Sequence, residues 1–324
     1  MGIFYPIILL IHVKKIVIFF LYNVHTGVHL EEIVNNKIWS LIDVLNEGKK
    51  FLQRNHVENA RLNAEVLLAS VLGLSRIELY LHFEKPLKVE EREQFKQLLR
   101  KRAKSFPLQY LLKRTEFMGW PFQVNPHVLI PRPETEILVE KALSLIPEKK
   151  SYRILDIGTG SGVISISIAK VRRDVQLTAI DVSPEALDVA RGNACLNNVS
   201  DQITWICGDI LESSSSLNEL GAFDMVVSNP PYVTRDEWER LAPEIKSHEP
   251  RIALCDEADG LTFYRTISVQ SRNWLSPGGV VLVEVGDKQS KPVYELFKKE
   301  QFDEICVYND LNGIGRVVQS KRLT

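Results

Sequence analysis

The chain has 324 residues, of which 45% are hydrophobic and 25% charged, and its formal net charge is −1 at pH 7. This balance is ordinary for a soluble globular protein, and the length allows two domains with sizeable cores. The near-zero net charge argues against strong non-specific binding of nucleic acid. The four cysteines form no Cys-x-x-Cys pair and no Cys/His cluster. We therefore expect no metal site, and we interpret the cysteines as buried thiols in the reducing cytoplasm.

Residues 1–37 are an atypical hydrophobic extension, in which two apolar runs are separated by His12, Lys14 and Lys15. A membrane-spanning helix needs about 20 continuous apolar residues, and lysine near its centre is costly. The segment also lacks the early positive charge and the small-residue cleavage site of a signal peptide. A weak membrane anchor and a loosely packed extension are alternatives. We expect instead a protein that is not bound to a membrane and whose native start lies further along, because a globular pattern begins near Trp39.

Residues 38–106 carry the apolar periodicity of a small helical bundle. Ser40 is a candidate N-cap for the first helix, and Gly73 is placed to end the second. Ser75 can open a short third helix, and residues 89–105 predict a strongly charged fourth helix with a narrow apolar stripe. Core packing accounts for all of these stripes, so nothing in this segment indicates catalysis.

Residues 107–131 change character, because proline and glycine interrupt short runs of β-branched and aromatic residues. This pattern, with Gly119 near its middle, predicts a linker built from a β-hairpin. A helix is predicted from about residue 133 to 145. Glu134 and Glu136 suit the positive end of its dipole.

From residue 153 onward, apolar strands alternate with helices, which is typical of a mostly parallel sheet with helices on both faces. The predicted helices include residues 163–171, 184–197 and 260–274. The predicted strands are residues 154–157, 176–180, 203–207, 225–228, 280–285, 305–308 and 316–320. We therefore predict an α/β fold: a doubly wound, seven-stranded, Rossmann-like domain over residues 132–324, preceded by the helical bundle and the hairpin.

The first strand of this pattern leads into a glycine-rich turn, which is where doubly wound sheets bind nucleotide ligands. A dinucleotide fingerprint is Gly-x-Gly-x-x-Gly, whereas the spacing here is Gly-x-Gly-x-Gly, and an acid precedes it at the strand end. Such an acid suits the cationic amino group of S-adenosylmethionine better than a pyrophosphate. The cofactor residues predicted in this turn are Asp156, Gly158, Thr159, Gly160, Ser161 and Gly162.

Acidic residues also follow the next two strands. Asp181 ends the second strand, where an acid hydrogen-bonds both ribose hydroxyls of a nucleotide. Asp209 ends the third, where it could accept from the adenine amine while Ile210 packs on the ring. Each aspartate alone could be a turn residue. Acids at three successive strand ends favour an S-adenosylmethionine site instead.

The fourth strand is followed directly by Asn229-Pro230-Pro231-Tyr232. Two consecutive prolines make a stiff loop, which we expect beside the cofactor. The Asn229 side-chain oxygen and the Pro230 carbonyl can accept both hydrogens of a target NH2 group, and Tyr232 offers a flat face to a planar target. We predict catalytic roles for Asn229, Pro230 and Tyr232, target binding by all four residues, and a cofactor contact for Asn229. An ordinary turn and a polyproline ligand are the alternatives.

With three further passages, these motifs resemble the bacterial release-factor N5-glutamine methyltransferases, the PrmC/HemK family. The resemblance covers roughly residues 38–318. Two departures are Lys113, which stands where a glycine is common, and residues 1–37, which have no counterpart. The further passages are Pro107-Leu108-Gln109-Tyr110 with Phe117-x-Gly119, then Val128-Leu129-Ile130-Pro131-Arg132-Pro133-Glu134-Thr135-Glu136, and finally Glu249-Pro250-Arg251 with Asp259-Gly260-Leu261-x-Phe263-Tyr264-Arg265.

The resemblance implies S-adenosylmethionine-dependent methylation of the glutamine in the Gly-Gly-Gln loop of class I peptide-chain release factors. It also implies that residues 38–106 dock this protein substrate and that the hairpin joins them to the catalytic domain. We expect a monomer. Glutamine methylation of a ribosomal protein is the nearest alternative. A DNA amino-methyltransferase, which predicts a basic target-recognition domain, and a non-catalytic S-adenosylmethionine-binding adaptor are more distant ones.

Overall fold

A computed structural model of the chain describes residues 9–13, 16–20, 38–148, 151–212, 217 and 220–323. The chain divides into two compact units, Met1–Arg100 and Lys101–Thr324. Near the N-terminus, β1 (Leu9–Val13) pairs with β2 (Ile16–Phe20) in antiparallel register, a strand pair that we did not predict. The rest of residues 1–37 lies outside the described residues, so the expectation about the native start stays a prediction. None of the helices in the described ranges is long and apolar enough to cross a membrane.

The first unit contains the predicted helical bundle. Ser40 and Asp43 form a reciprocal capping box at the start of the first helix, and Gly73 ends the second in the left-handed conformation, as predicted. The leucines of the apolar stripes, such as Leu52 and Leu67, are fully buried. Each contributes about 1.5–3 kcal/mol by leaving water. The helices are α1 (Leu41–Arg54), α2 (Ala60–Leu72), α3 (Arg76–Leu81) and α4 (Val89–Ala103).

The predicted hairpin is present as β3 (Arg114–Phe117) and β4 (Trp120–Gln123), which turn at Gly119. A short helix that the sequence reasoning missed, α5 (Leu108–Leu112), precedes it. Lys113 follows this helix with φ +56°, a conformation that glycine adopts more readily than lysine. A glycine, which the resemblance described above leads us to expect here, would adopt this backbone with less strain.

The second unit is built on a seven-stranded sheet in the order β10-β11-β9-β8-β5-β6-β7. The pairs among β5 to β9 are parallel, whereas β10 and β11 are antiparallel to each other and β11 to β9. This confirms the predicted doubly wound, mostly parallel α/β fold. The strands are β5 (Tyr152–Ile157), β6 (Val175–Asp181), β7 (Ile203–Cys207), β8 (Phe223–Ser228), β9 (Leu275–Glu284), β10 (Phe302–Asn309) and β11 (Gly315–Arg322).

Helices cover both faces of this sheet. Along β5 the side chains alternate between two apolar cores, with Ile154 in one and Leu155 in the other. Besides α5, three of the described helices were not predicted, namely α9 and α10, which are short, and α12. The helices are α6 (Glu134–Leu145), α7 (Val163–Val171), α8 (Pro184–Leu196), α9 (Arg235–Trp238), α10 (Pro243–His248), α11 (Thr262–Trp274) and α12 (Ser290–Lys299).

The interpretation of all four cysteines as buried thiols was wrong. Only Cys255 is buried, while Cys195, Cys207 and Cys306 are exposed. Cys306 lies on β10, the strand at the edge of the sheet, and Cys207 is the last residue of β7, the strand at the opposite edge. Edge strands and outer helix surfaces expose some of their side chains, so apolar composition alone did not fix the burial of these thiols.

Candidate active site

The carboxyl ends of the parallel strands surround a cavity of about 410 Å³. This volume falls within the range of about 300–1,000 Å³ that is usual for small-ligand sites. The predicted site residues that line the cavity are Gly158, Thr159, Gly160, Ser161, Asp181, Asp209, Ile210, Asn229, Pro230 and Pro231. Three predicted residues, Asp156, Gly162 and Tyr232, do not line it.

The glycine turn brings bare backbone to the cavity. Gly158 and Gly160 have φ of +71° and +55°, and a Cβ added to either would meet no atom within 4 Å. Open space beside a left-handed backbone allows a ligand to approach the main chain closely. Gly162 serves packing instead, because an added Cβ would lie 2.8 Å from Ile166 Cδ1 and 3.2 Å from Ala190 Cβ.

Asp156 lies beneath this turn and is fully buried. Its Oδ2 accepts hydrogen bonds from Thr159 Oγ1 and Ser165 Oγ, both at 2.7 Å, while Oδ1 has no hydrogen-bond partner in the described part of the chain. Burial raises the pKa of Asp156 to about 6. The carboxyl thus supports the turn from below, and its predicted direct contact with a cofactor stays a prediction.

A second support of the turn, Asn193 on α8, was missed by the sequence reasoning. Its Nδ2 donates to the Ser161 carbonyl at 2.9 Å and to the Gln123 carbonyl at 3.0 Å, and its Oδ1 accepts from the Gln123 N–H at 2.6 Å. The side chain is fully buried. It therefore ties the glycine turn to the β3–β4 hairpin, a connection that the sequence pattern of α8 did not indicate.

The two acids predicted to hold a nucleoside both line the cavity. The Asp181 carboxylate accepts from the Gly160 N–H at 2.8 Å and from the Ser183 N–H at 3.0 Å, and burial raises its pKa. Asp209 is half-buried and accepts from the Leu211 N–H at 2.8 Å. Backbone hydrogen bonds thus fix both carboxylates at the edge of the cavity.

The loop after β8 places Asn229 beside the glycine turn. Asn229 Nδ2 donates to Thr135 Oγ1 on α6 at 3.2 Å. Pro230 and Pro231 line the cavity, while Tyr232 is half-buried against an apolar core. Burial raises the pKa of Tyr232 to about 12, so the phenol stays protonated at neutral pH. Its predicted stacking on the target stays a prediction.

Comparisons with known proteins agree with this geometry. Family models match at residues 43–112, for the PrmC N-terminal domain, and at residues 134–245, for the methyltransferase small domain. The release factor glutamine methyltransferase of Geobacter sulfurreducens is 41% identical over 282 residues, which are 87% of this chain and 96% of that protein. The chain belongs to the release factor glutamine methyltransferase family.

Two further similarities complete the comparison of this methyltransferase with known proteins. The release factor glutamine methyltransferase of Chlorobaculum tepidum is 39% identical over 285 residues, covering 86% of this chain and 96% of that protein. Among solved structures, a methyltransferase from Pyrococcus furiosus matches with a TM-score of 0.47 at 18% identity, covering 64% of this chain and 91% of that one.

In this methyltransferase, two sequence passages of the family meet at the rim of the cavity. The buried Glu249 accepts from Arg132 Nη2 at 2.6 Å and from the Ile130 N–H at 3.2 Å. Arg132 lines the cavity, and its side chain is 29% exposed. The Pro-Arg-Pro-Glu-Thr-Glu passage and the Glu-Pro-Arg passage are therefore joined by one bidentate carboxylate, a role that the sequence did not reveal.

Glu284, the last residue of β9, was also missed. It is 2% exposed, and its Oε2 lacks a hydrogen-bond partner among the residues that the structure describes. Burial raises the pKa of Glu284 to about 7, although hydrogen bonds with Thr135 and Asn229 oppose that rise. A glutamate inside the apolar run of residues 280–285, on the strand beside the one that leads to Asn229, was the available sequence signal. Across the described ranges, no group of three or more His, Cys, Asp or Glu side chains could hold a metal ion.

Proposed function

We propose that this methyltransferase transfers a methyl group from S-adenosylmethionine to the side-chain amide nitrogen (N5) of the glutamine in the Gly-Gly-Gln motif of class I peptide-chain release factors. The observation that carries the proposal is the position of Asn229. It lines the same cavity as the open glycine turn, in a chain 41% identical to a release factor glutamine methyltransferase.

The cavity fits S-adenosylmethionine on its own geometry. Gly158 and Gly160 leave room at the backbone for a close ligand, and Asp181 is placed to accept from ribose hydroxyls. Asp209 and Ile210 would hold the adenine, with Thr159 and Ser161 completing the turn. When bound, the cofactor supplies an electrophilic methyl group on a sulfonium leaving group.

The protein's own contribution is orientation of the target. The Asn229 side-chain oxygen and the Pro230 carbonyl accept the two hydrogens of the glutamine NH2 group, which aims the nitrogen lone pair at the methyl carbon. The two prolines hold these acceptors in one place because their φ angles are fixed. No strong general base is needed, since the amide nitrogen becomes acidic as it gains the methyl group.

The remaining expectations become parts of the same proposal. Residues 38–106 dock the release factor, residues 107–131 form the linker, and residues 132–324 carry out catalysis in a cytoplasmic monomer. Exposed apolar side chains on α3 support a docking role, since Ile77 is 75% and Leu81 71% exposed. These two residues are four apart and so share one face of the helix.

The test is methyl transfer from labelled S-adenosylmethionine to separate purified substrates. These are a class I release factor, the same factor with its Gly-Gly-Gln glutamine replaced by asparagine, ribosomal proteins, and duplex DNA. We expect label only in the unmodified release factor. Label in ribosomal protein or DNA, but not in the release factor, would overturn the proposal.

A further inference from the structure

The proposed chemistry requires one orientation of an amide that has two nearly equal ones. Asn229 must turn its Oδ1 toward the target nitrogen, yet rotation of the amide by 180° exchanges its donor and acceptor ends at almost no steric cost. A reversed amide would present N–H groups to the NH2 of the target and could not accept from it. Something in the protein must therefore distinguish the two ends.

Thr135 can distinguish the two ends of the amide only if the proton of its own hydroxyl points in one fixed direction. It is 2% exposed and accepts from Asn229 Nδ2 at 3.2 Å. A hydroxyl has a single proton. If that proton is donated elsewhere, Thr135 can only accept from Asn229. If it is free to point at Asn229, it can equally hold the reversed amide.

Glu284 lies where it can take that proton. In the parallel register of β8 and β9, Ser228 pairs with Val283, so Asn229, which directly follows β8, lies next to Glu284, the last residue of β9. Hydrogen bonds with Thr135 and with Asn229 both favour the charged form of its carboxyl. A carboxylate only accepts, so these bonds run from the Thr135 hydroxyl and from the Asn229 NH2 group toward Glu284.

We propose that Glu284 is the positioning residue of the target site: its carboxylate takes the hydrogen bond of the Thr135 hydroxyl and one from Asn229 Nδ2, and thereby turns Asn229 Oδ1 toward the cavity. This inference rests on the proposed function, because it explains how the acceptor used there is aimed. Reversal would bring Oδ1 against the carboxylate and remove the Asn229 donor from both Glu284 and Thr135, so a buried charge would lose one of its two hydrogen bonds and face a lone pair instead.

The surroundings of Glu284 determine when it can do this. The charged and titratable groups that act on it are Glu134 on α6 and Arg316 on β11, together with the phenols Tyr232 and Tyr264. Arg316 is already paired with Asp310 at 2.9 Å. With a pKa of about 7, Glu284 gains a proton as the pH falls below neutrality. A protonated carboxyl can donate to Thr135, so the orientation of Asn229 is then no longer enforced.

The experiment compares Glu284→Gln with the wild type and with two Thr135 variants at pH 6 to 9. Since a hydrogen bond to a charged group is worth roughly 1.5–3 kcal/mol, Glu284→Gln should lower kcat at pH 8 roughly 10- to 100-fold. It should also remove the fall in kcat on the acid side and leave the Kd for S-adenosylmethionine unchanged. Thr135→Val should lose activity similarly, and Thr135→Ser, which keeps the hydroxyl, should restore it.

The matched control is Tyr264→Phe. The Tyr264 hydroxyl donates to the backbone carbonyl of Glu284 at 2.8 Å and is equally buried, but it does not use the Glu284 side chain. This variant should lose stability yet keep the wild-type pH profile. If Glu284→Gln kept wild-type kcat and the wild-type pH profile, the positioning role would be overturned while the proposed function stood.

A measurement that does not depend on activity distinguishes failure of the proposed function from failure of the role proposed for Glu284. The side-chain NH2 signals of Asn229 in ¹⁵N-edited NMR spectra of the wild-type protein should shift with a midpoint near pH 7, and that titration should be absent in Glu284→Gln. An inactive wild type with this titration present would reject the proposed function alone. Asn229 signals that do not respond to pH in the wild type would reject the role of Glu284.

Discussion

The part of the site that faces the cofactor and the part that faces the target each contain a buried acid. The two acids are chemically alike, but they bind different neighbouring groups. Asp156 and Glu284 are both buried, both have raised pKa values, and each has one carboxylate oxygen without a hydrogen-bond partner in the described ranges. Asp156 holds two hydroxyls that fix a backbone turn. Glu284, in the role proposed for it, holds the hydroxyl of Thr135 and the amide of Asn229.

This difference means that only the target half depends on the direction in which a side chain points. The cofactor half presents backbone and glycine, whose donors and acceptors are set by the chain trace itself. The target half presents an amide whose direction depends on the proton of a neighbour. Mutations in the first half should therefore change binding, whereas mutations in the second should change turnover.

The largest effect is expected from Asn229→Ala, which removes the acceptor of the target half. Methyl transfer should fall by at least roughly 1,000-fold, because an oriented polar contact in a transition state is worth about 10²–10³ and the residual orientation is also lost. The Kd for S-adenosylmethionine, measured by calorimetry, should stay within a few-fold of wild type. The control is Asn312→Ala in an exposed loop. Full activity in Asn229→Ala would break the comparison.

The next effect concerns stability and pH in both acids. The folded protein keeps a proton on Glu284 up to about pH 7 and on Asp156 up to about pH 6, whereas the unfolded chain loses these protons near pH 4.5 and 3.8. The free energy of unfolding should therefore fall as the pH rises through each window, by roughly 3 kcal/mol per group. Glu284→Gln and Asp156→Asn should each flatten part of this fall.

Denaturant titrations of the wild type, Glu284→Gln and Asp156→Asn between pH 4 and 8 measure how the free energy of unfolding depends on pH. Only Glu284→Gln should also change the pH profile of kcat, since Asp156 does not reach the target half. A changed kcat profile in Asp156→Asn would erase the distinction between the two acids.

A smaller effect is expected in the cofactor half. Gly158→Ala forces a side chain into φ +71° at the cavity wall. Left-handed backbone costs a non-glycine residue roughly 1–2 kcal/mol, and the methyl group also occupies ligand space, so the Kd for S-adenosylmethionine should rise roughly tenfold or more. Gly313→Ala, with φ +78° and equally open space in the β10–β11 turn, which does not line the cavity, is the matched control and should bind normally. Equal binding of S-adenosylmethionine by both variants would contradict the assignment of the glycine turn to the cofactor site.

The smallest effect is expected at the rim. Glu249→Gln keeps the shape of the side chain but weakens its charged hydrogen bond to Arg132. We expect the KM for the release factor to rise a few-fold with an unchanged Kd for S-adenosylmethionine. Glu304→Gln, which weakens an exposed ion pair with Lys321, is the control and should change neither. If the Kd for S-adenosylmethionine changed instead, Glu249 would belong to the cofactor half of the site.

Sequence reasoning predicted the parts of the fold and site that depend on local pattern. The doubly wound sheet, the helix ends at Ser40 and Gly73 and the hairpin follow from periodicity and turn residues, and the glycine turn and Asn229 follow from motifs at strand ends. Asn193, Glu249 and Glu284 were missed because their partners are distant in sequence. Glu249 lies 117 residues from Arg132, and no local pattern encodes such a contact.

The most direct test of the central claim is to locate the transferred methyl group. After incubation of the release factor with the wild-type protein or Asn229→Ala and S-adenosylmethionine, tandem mass spectrometry of the Gly-Gly-Gln peptide identifies the modified atom. We expect one methyl group on the glutamine side-chain nitrogen with the wild type, and none with Asn229→Ala although it still binds the cofactor. A methyl group on another residue, or equal modification by Asn229→Ala, would contradict it.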